Sequence, residues 1–451
     1  TTGIQNTLIG GLAGDALTDA DYNVALGTSA LSADTLGSRA IAIGAGALSR
    51  QNFTSATDNY NIGIGYDAGL NVTTGVQNTL IGGTAGDALT DADFNVAIGY
   101  NALGGDTLGN RSVAIGYETL KAQNFTSATS SNNTAVGFHA GNDVTTGTNN
   151  TLIGANAGDK TTTGTNNTAI GLNSLTTNTT GGQNVAVGDN ALAANTTATY
   201  NTALGTSTLQ LNTTGTRNVA TGAFSLTANT TGDGNVAMGY QALKSNTTAD
   251  NNTAIGDQAL EFNTTGSENT AVGRLSLDAN TTGGDNVAIG NSALGANTTA
   301  SNNTAVGSAA LLANTTGAEN VAVGAGALTA NTTASYNVAV GQGAGDAITT
   351  GNYNVAIGRS ALTTLTTNAA NTAVGGTALS ANTAANNTAV GYASLAANTT
   401  GTENVAVGAL ALDACTTGTR NTAVGYIALS SIIGANDNTA IGREALRDNT
   451  A

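Results

Sequence analysis

The stretch NVAIGNSALGANTTASN, residues 286–302, is one copy of a motif that fills the chain. The chain contains 26 copies, the first starting at Asn6 and the last at Asn438, and 22 of the 25 intervals between them have the same length. A fixed period of about 17 residues indicates a solenoid in which each copy forms one coil. We therefore predict an all-β, parallel β-solenoid that forms one continuous repeat domain over residues 1–451, without capping domains.

The motif positions, numbered from the opening Asn, have separate physical roles. Position 5 is Gly in all 26 copies, and Gly is the residue that tolerates a positive φ or a close backbone approach. These structural glycines include Gly10, Gly27, Gly188 and Gly442. Position 1 is Asn in 24 copies, as at Asn184 and Asn286, and stacked side-chain amides predict a hydrogen-bonded ladder.

Apolar positions of the motif predict where the core lies. Position 4 is Val, Ile, Leu or Met in every copy but Thr221, which favours a core-facing strand position. Position 3 is Ala in 22 copies, so we expect the other face of the strand to be packed too, within a flat roll or against another chain. Position 9 is Leu in 20 copies and Gly in six, and in five of those six position 12 becomes apolar. Positions 9 and 12 should therefore share one core of nearly constant volume.

A four-coil block is duplicated, because residues 4–57 match residues 76–129. Each copy of the block contains one coil that is four residues longer than the usual motif and carries the segment Gln-Asn-Phe-Thr-Ser-Ala-Thr. Loops on a rigid scaffold often carry recognition, so Phe53 and Phe125 are candidate partner contacts. Further candidates, which flank the strand, are Tyr66, Tyr100 and Tyr117.

The sequence offers little for catalysis or metal binding. His139 is the only His and has no reactive-Cys partner or carboxylate pair nearby in sequence, so we expect neither an enzyme nor a cofactor. Cys415 replaces an Asn at position 12 and is interpreted as a tolerated substitution. A Ca²⁺ loop is a weaker alternative to solvated turn acids in the segment Gly-Asp-Ala-Leu-Thr-Asp-Ala-Asp. Its candidate ligands are Asp15, Asp19, Asp21, Asp87, Asp91 and Asp93.

Composition argues against two further classes of protein. The 28 acidic and 12 basic residues give a net charge of −16, which disfavours binding to nucleic acid. No apolar run approaches the roughly 20 residues that span a bilayer, so we expect no membrane insertion. The chain has no Pro, as suits a solenoid in which strand N–H groups donate to a neighbouring coil.

The core NVAIGNSA at residues 286–293 resembles the head repeats of YadA-like trimeric autotransporter adhesins. The longer pattern that continues to Asn-Thr-Thr-Gly is similar to repeats in phage tail fibres, and the resemblance covers practically the whole chain. It implies a left-handed β-roll, a homotrimer, and attachment to a cell-surface or matrix ligand.

Together these features predict an extracellular fibre or adhesin shaft, on a cell surface or virion, that assembles with itself and mediates or spaces attachment. One alternative is a filament subunit that stacks end to end through uncapped coils. Another is an ice- or glycan-binding solenoid that acts through repeated surface columns, such as the Thr pairs beside Asn178 to Asn331.

Overall fold

The computed structural model describes residues 2–450, and these residues contain strands and turns but no helix. The chain is a parallel β-solenoid with one three-residue strand at positions 2–4 of each of its 26 coils. The coils group into two compact units, Thr1–Thr231 and Gly232–Ala451, with 13 of these strands each. The predicted fold class is confirmed, whereas one continuous domain stays a prediction.

The first unit carries its strands at nearly constant spacing. They are Thr7–Ile9, Val24–Leu26, Ile41–Ile43, Ile62–Ile64, Thr79–Ile81, Val96–Ile98, Val113–Ile115, Thr134–Val136, Thr151–Ile153, Thr168–Ile170, Val185–Val187, Thr202–Leu204 and Val219–Thr221. Its two long coils add short parallel pairs of two-residue strands. Gly37–Ser38 pairs with Thr57–Asp58, and Gly109–Asn110 pairs with Thr129–Ser130.

The second unit repeats the same strand. Its strands are Val236–Met238, Thr253–Ile255, Thr270–Val272, Val287–Ile289, Thr304–Val306, Val321–Val323, Val338–Val340, Val355–Ile357, Thr372–Val374, Thr388–Val390, Val405–Val407, Thr422–Val424 and Thr439–Ile441. Within each unit, neighbouring strands pair in parallel and in register, as Ala271 with Ala288. Each motif position therefore forms a column that runs from coil to coil.

Strand orientation differs from the prediction. Asn286 and Ala288 are fully buried, whereas Ile289 keeps 40% of its surface exposed. Positions 1 and 3 therefore point into the core, and positions 2 and 4 point outward, because successive side chains in a strand alternate between faces. The prediction that position 4 faces the core is wrong. The Asn side chain at position 1 points inward, and because side chains alternate along the strand, position 3 also points inward and position 4 points outward.

The turn after each strand depends on Gly at position 5. Gly290 has φ 137°, and a Cβ built on it would lie 2.5 Å from the carbonyl oxygen of Gly307 in the next coil. Both the dihedral and the close approach of two backbones exclude a side chain there. Gly10, Gly27 and Gly188 have the same geometry, with φ of 134°, 136° and 135°.

Leu at position 9 adopts an unusual backbone conformation. Leu294 has φ 51° and is fully buried, and the same holds for the Leu of most other coils. The left-handed conformation costs about 1–2 kcal/mol for an L-residue, whereas burying a Leu side chain contributes about 1.5–3 kcal/mol. Burial therefore offsets the strain, and a coil with Gly at this position avoids the strain but must fill the core in another way.

Coils with Gly at position 9 fill the core from two other positions. A Cβ on Gly86 would meet Leu80 Cδ2 at 2.7 Å and Leu89 Cδ1 at 2.9 Å, and one on Gly69 would meet Leu80 Cδ1 at 2.6 Å. The predicted exchange between positions 9 and 12 is confirmed, since Leu89 is buried. Position 3 is a third contributor, because Leu80 replaces the usual Ala and fills the space beside both glycines.

Buried Asn side chains tie successive coils together. The N–H of Asn286 donates to Oδ1 of Asn269 at 3.1 Å, and its Nδ2 donates to the carbonyl of Ala300 at 2.9 Å. Asn184 makes the same bonds to Asn167 and Ala198. The predicted amide ladder is confirmed. Each rung satisfies polar groups that would otherwise be buried without partners.

Candidate functional site

The outward face of the strands is an apolar stripe, which we define as the side chains at positions 2 and 4 of every coil. None of these 52 side chains, two in each of 26 coils, carries a charge, and nearly all are Thr, Val or Ile. Exposed members include Leu26, Ile153, Ile170, Leu204, Met238, Ile255, Ile289, Val340 and Ile357. The stripe is thus an uncharged, β-branched surface that the chain's own core does not cover.

The length of the stripe sets it apart from scattered surface apolar residues. With strands about 4.8 Å apart, the 13 in-register strands of each unit extend it over roughly 60 Å. A soluble monomer rarely exposes a contiguous apolar patch larger than a few hundred Å², and larger patches mark interaction sites. The stripe is therefore a candidate interaction surface on each unit.

Aromatic and charged side chains flank the stripe at positions 17 and 6. In the first unit the guanidinium of Arg39 lies 5.1 Å from the ring centroid of Tyr22 and 5.7 Å from that of Tyr60. Its Nε also lies 2.9 Å from Oδ1 of Asp58, and the hydrogen bond to this carboxylate raises the pKa of Arg39. In the second unit Tyr336 and Tyr353 stack with ring centroids 5.0 Å apart.

The candidate partner contacts fall into two groups. Tyr66, Tyr100 and Tyr117 are 66%, 53% and 45% exposed, so they are available to a partner. Phe53 and Phe125 are only 5% and 6% exposed. These two rings pack within their own chain, so their assignment as partner contacts is wrong.

The long coil folds its Phe inward because a buried Asp organises the loop. Asp34 is fully buried, and its Oδ1 accepts hydrogen bonds from the N–H groups of Gly37 and Phe53. Its Oδ2 accepts a 2.6 Å bond from Nε2 of Gln51. The Phe53 ring lies over Gly37, where a Cβ would approach Cδ2 of the ring to 2.7 Å. The duplicated coil repeats this network around Asp106.

His139 belongs to an aromatic cluster. Its ring stacks on Phe138 with centroids 4.0 Å apart and lies 5.7 Å from that of Tyr117. Its Nε2 lies 3.2 Å from Oε2 of Glu118. The cluster could not be found from His139 alone; the signal is that consecutive coils carry aromatic residues at the same motif position.

The six candidate Ca²⁺ ligands do not form a cage. Asp91 accepts a 2.7 Å bond from the Thr74 hydroxyl, and Asp93 accepts one of 2.8 Å from the N–H of Val76. Asp19 and Asp21 play the same roles one block earlier, whereas Asp15 and Asp87 lie in a different column. Over residues 2–450 no three His, Cys, Asp or Glu side chains are grouped to hold a metal ion.

The Thr pairs present one outward column. The hydroxyl of Thr281, at position 13, donates to the carbonyl of Thr298 in the next coil at 3.0 Å. Thr282, at position 14, is exposed. Cys415 is buried in the column of position 12, where the pKa of its thiol is raised by burial.

The fold and its surfaces define a parallel β-solenoid repeat protein with a long apolar stripe. No protein-family model matches the chain, and no curated protein sequence does so either. Within residues 2–450 there is no helix of the length and hydropathy needed to cross a membrane.

Proposed function

We propose that the chain is a structural extracellular fibre or adhesin shaft that assembles by homo-oligomerisation and mediates or spaces attachment to a surface. The observation that carries the proposal is the apolar stripe, because an uncharged surface of that length is stabilised when a second copy covers it. Among residues 2–450 no feature gives comparable support to an enzyme or to a nucleic-acid-binding protein.

A second copy suits the stripe better than a different partner. Every coil presents the same two outward positions at the same spacing, so two or more copies packed side by side bury equivalent residues in coil after coil. Closed rotational symmetry is the commonest way for identical chains to cover such a surface. The resemblance to trimeric adhesin heads supports three copies and a place on a cell surface or virion.

Multi-angle light scattering and sedimentation of the intact chain test the proposal. We expect a mass about three times the chain mass of 43.9 kDa. Introducing Ile289→Lys, Val323→Lys and Ile357→Lys together places three charges in the stripe, so the assembly should dissociate. These side chains are already 36–40% exposed, so each coil should fold unchanged, as checked by circular dichroism.

A matched control places the same charges on another face. Thr282→Lys, Thr316→Lys and Thr350→Lys alter exposed side chains at position 14 and should leave the mass unchanged. A monomeric wild-type chain, or a stripe variant that keeps its oligomeric mass, would refute the proposal.

A further inference from the structure

Three consecutive coils of the first unit carry an aromatic ladder, which we define as Tyr100, Tyr117 and Phe138. All three occupy position 6, beside the stripe. The ring centroids of Tyr100 and Tyr117 are 5.5 Å apart, and so are those of Tyr117 and Phe138. The planes of these pairs differ by only 20° and 12°. The ladder is thus a row of nearly parallel rings with one ring per coil.

The rings leave part of each face open to a ligand. Carbon atoms in contact lie about 3.5–4.0 Å apart, so centroids separated by 5.5 Å belong to rings that are offset and overlap only partly. Tyr100 is 53% exposed, Tyr117 45% and Phe138 52%. The ladder therefore offers a stepped apolar shelf.

A polar rim, which we define as Glu118, Lys121 and His139, borders this shelf. Nζ of Lys121 donates to Oε1 of Glu118 at 2.9 Å, and this hydrogen bond lowers the pKa of the carboxyl. The side chain of Glu118 is 16% exposed, so it is held in place, whereas that of Lys121 is 44% exposed. The opposite charges of these two residues balance each other at the edge of the rings.

The duplicated block shows that the fold does not require the ladder. In the earlier copy, Thr28 stands in the place of Tyr100 and Ala45 in the place of Tyr117. Gly46 and Ser49 likewise stand where the rim has its Glu and Lys. The coils carrying both sets have the same three-residue strands. The aromatic and charged residues are thus present in only one of the two blocks, and the coils of the other block form the same strands without them.

We propose that the aromatic ladder and its polar rim bind a neutral oligosaccharide. Pyranose rings have apolar C–H faces and hydroxyl edges, so they fit a site that combines exposed aromatic rings with a few fixed polar groups. Three rings spaced by one coil each suit a chain of several sugar residues that lies along the coil axis. The inference deepens the attachment part of the proposed function and is separate from its assembly part.

Charge and backbone pairing argue for this ligand over others. The chain has a net charge of −16, which repels acidic polysaccharides, and the rim adds no net positive charge from Glu118 and Lys121. A peptide that added a strand would need a free sheet edge. The strand Val113–Ile115 is paired on both sides, with Val96–Ile98 and Thr134–Val136.

The test is binding of the intact chain to a printed array of neutral hexose and N-acetylhexosamine oligosaccharides, with acidic glycans on the same array. We expect binding to neutral glycans. The variant Tyr100→Thr with Tyr117→Ala, which adopts the residues of the earlier block, should bind at least about tenfold more weakly, because two of three rings are lost. Tyr392→Ala removes a Tyr that is also at position 6, outside the ladder, and should bind as the wild type does.

Oligomeric mass is measured on the same samples. Failure of every neutral glycan to bind, selective binding of acidic glycans, or equal binding by the double variant and the wild type would each overturn the site. A change of mass in the double variant without loss of glycan binding would also overturn it, since the ladder would then be an assembly contact. A monomeric wild type that binds neutral glycans would refute only the proposed assembly.

Discussion

The duplicated blocks, residues 4–57 and 76–129, have nearly the same interior and different flanks. Each buries an Asp that accepts a 2.6 Å bond from a Gln side chain, Gln51 to Asp34 in one block and Gln123 to Asp106 in the other. In two corresponding coils the residue at position 6 is small in the earlier block, Thr28 and Ala45, and aromatic in the later block, Tyr100 and Tyr117. This difference indicates that core packing restricts which residues occupy the inward positions, whereas the residues that flank the stripe can vary.

Where the interiors differ, two residues differ together. The first block has Ala40 at position 1, and Asn59 supplies the Oδ1 that accepts the N–H of Asn61. In the second block position 1 is Ser112, and Ser131, two residues beyond the block, corresponds to Asn59; the hydroxyl oxygens of these two Ser lie 2.5 Å apart. Both solutions supply hydrogen-bonding groups to the same part of the core, so here the two interior positions differ together.

The largest effect is expected from removing the buried Asp that both blocks contain. Asp34→Ala and Asp106→Ala each remove the carboxylate that accepts one bond from a buried Gln amide and two from backbone N–H groups, although Nε2 of Gln123 also donates to the Ser112 hydroxyl. We expect each to destabilise its long coil by about 3–5 kcal/mol. Hydrogen exchange of peptides covering residues 50–61 and 122–133 should show a clear loss of protection in each variant.

Thr54→Ala, in the exposed part of the same loop, is the control and should leave exchange unchanged. If Asp106→Ala were tolerated while Asp34→Ala was not, the two networks would not be equivalent, although each Asp accepts the same three hydrogen bonds.

A smaller effect on stability should distinguish Leu80 from Leu8, which occupy corresponding positions in the two blocks. Leu80 is fully buried between Gly69 and Gly86, whereas Leu8 is 42% exposed. Leu80→Ala should lower the free energy of unfolding by about 3 kcal/mol through the cavity it leaves. Leu8→Ala should lower it by about 1 kcal/mol or less, because little transfer from water is lost. Urea unfolding followed by circular dichroism measures both.

A double variant sharpens this prediction. Gly86→Leu alone should destabilise the coil, since its Cβ would lie 2.7 Å from Leu80 Cδ2. Combined with Leu80→Ala it recreates the Ala and Leu found at positions 3 and 9 of most coils, so the two changes should couple favourably by about 2 kcal/mol. Additive destabilisation would mean that positions 3 and 9 do not share one volume.

Sequence periodicity was sufficient to predict the solenoid, the Gly turn and the Asn ladder, because each depends on one residue type at one position. It was insufficient for strand orientation, since the run Val-Ala-Ile of Val287–Ile289 is apolar on both faces and only the buried Asn286 fixes the phase. Phe53 was assigned to the surface because it lies in a loop. The space that admits its ring is provided by Gly37, which becomes a neighbour only after the long coil closes.

The aromatic ladder was missed for a related reason. Tyr100 and Tyr117 were predicted to lie beside the strand, but their stacking with Phe138 follows only from the in-register pairing of three coils. Both pairs of neighbouring rings lie 5.5 Å apart in space. In sequence, however, the second pair is separated by one of the two long coils, and its extra residues conceal the regular spacing.

The smallest effect on stability is expected from the acidic residues at position 10 of two corresponding coils. Burial raises the pKa of Asp87, and the nearby Asp67 carboxylate adds to the shift, whereas Asp15 in the earlier block is exposed. A raised pKa in the folded state means that ionised Asp87 is a disadvantage at neutral pH. The contribution of the protonated Asp87 side chain to folding stability is fully present below the unfolded pKa of about 3.9. It is lost as the pH rises through the pKa of the folded state.

Asp87→Asn removes that ionisation, and Asn already occupies position 10 at Asn142. We expect the variant to raise the unfolding temperature at pH 7 by about 1 °C, a small shift because Asp87 is only partly buried and solvent screens its charge. The gain should disappear near pH 3, where the wild-type carboxyl is protonated in both states. Asp15→Asn should show no gain at either pH in the same thermal scans. An equal gain from both variants would assign the effect to net charge and remove the role of burial, because each substitution lowers the acidic excess of the chain by one.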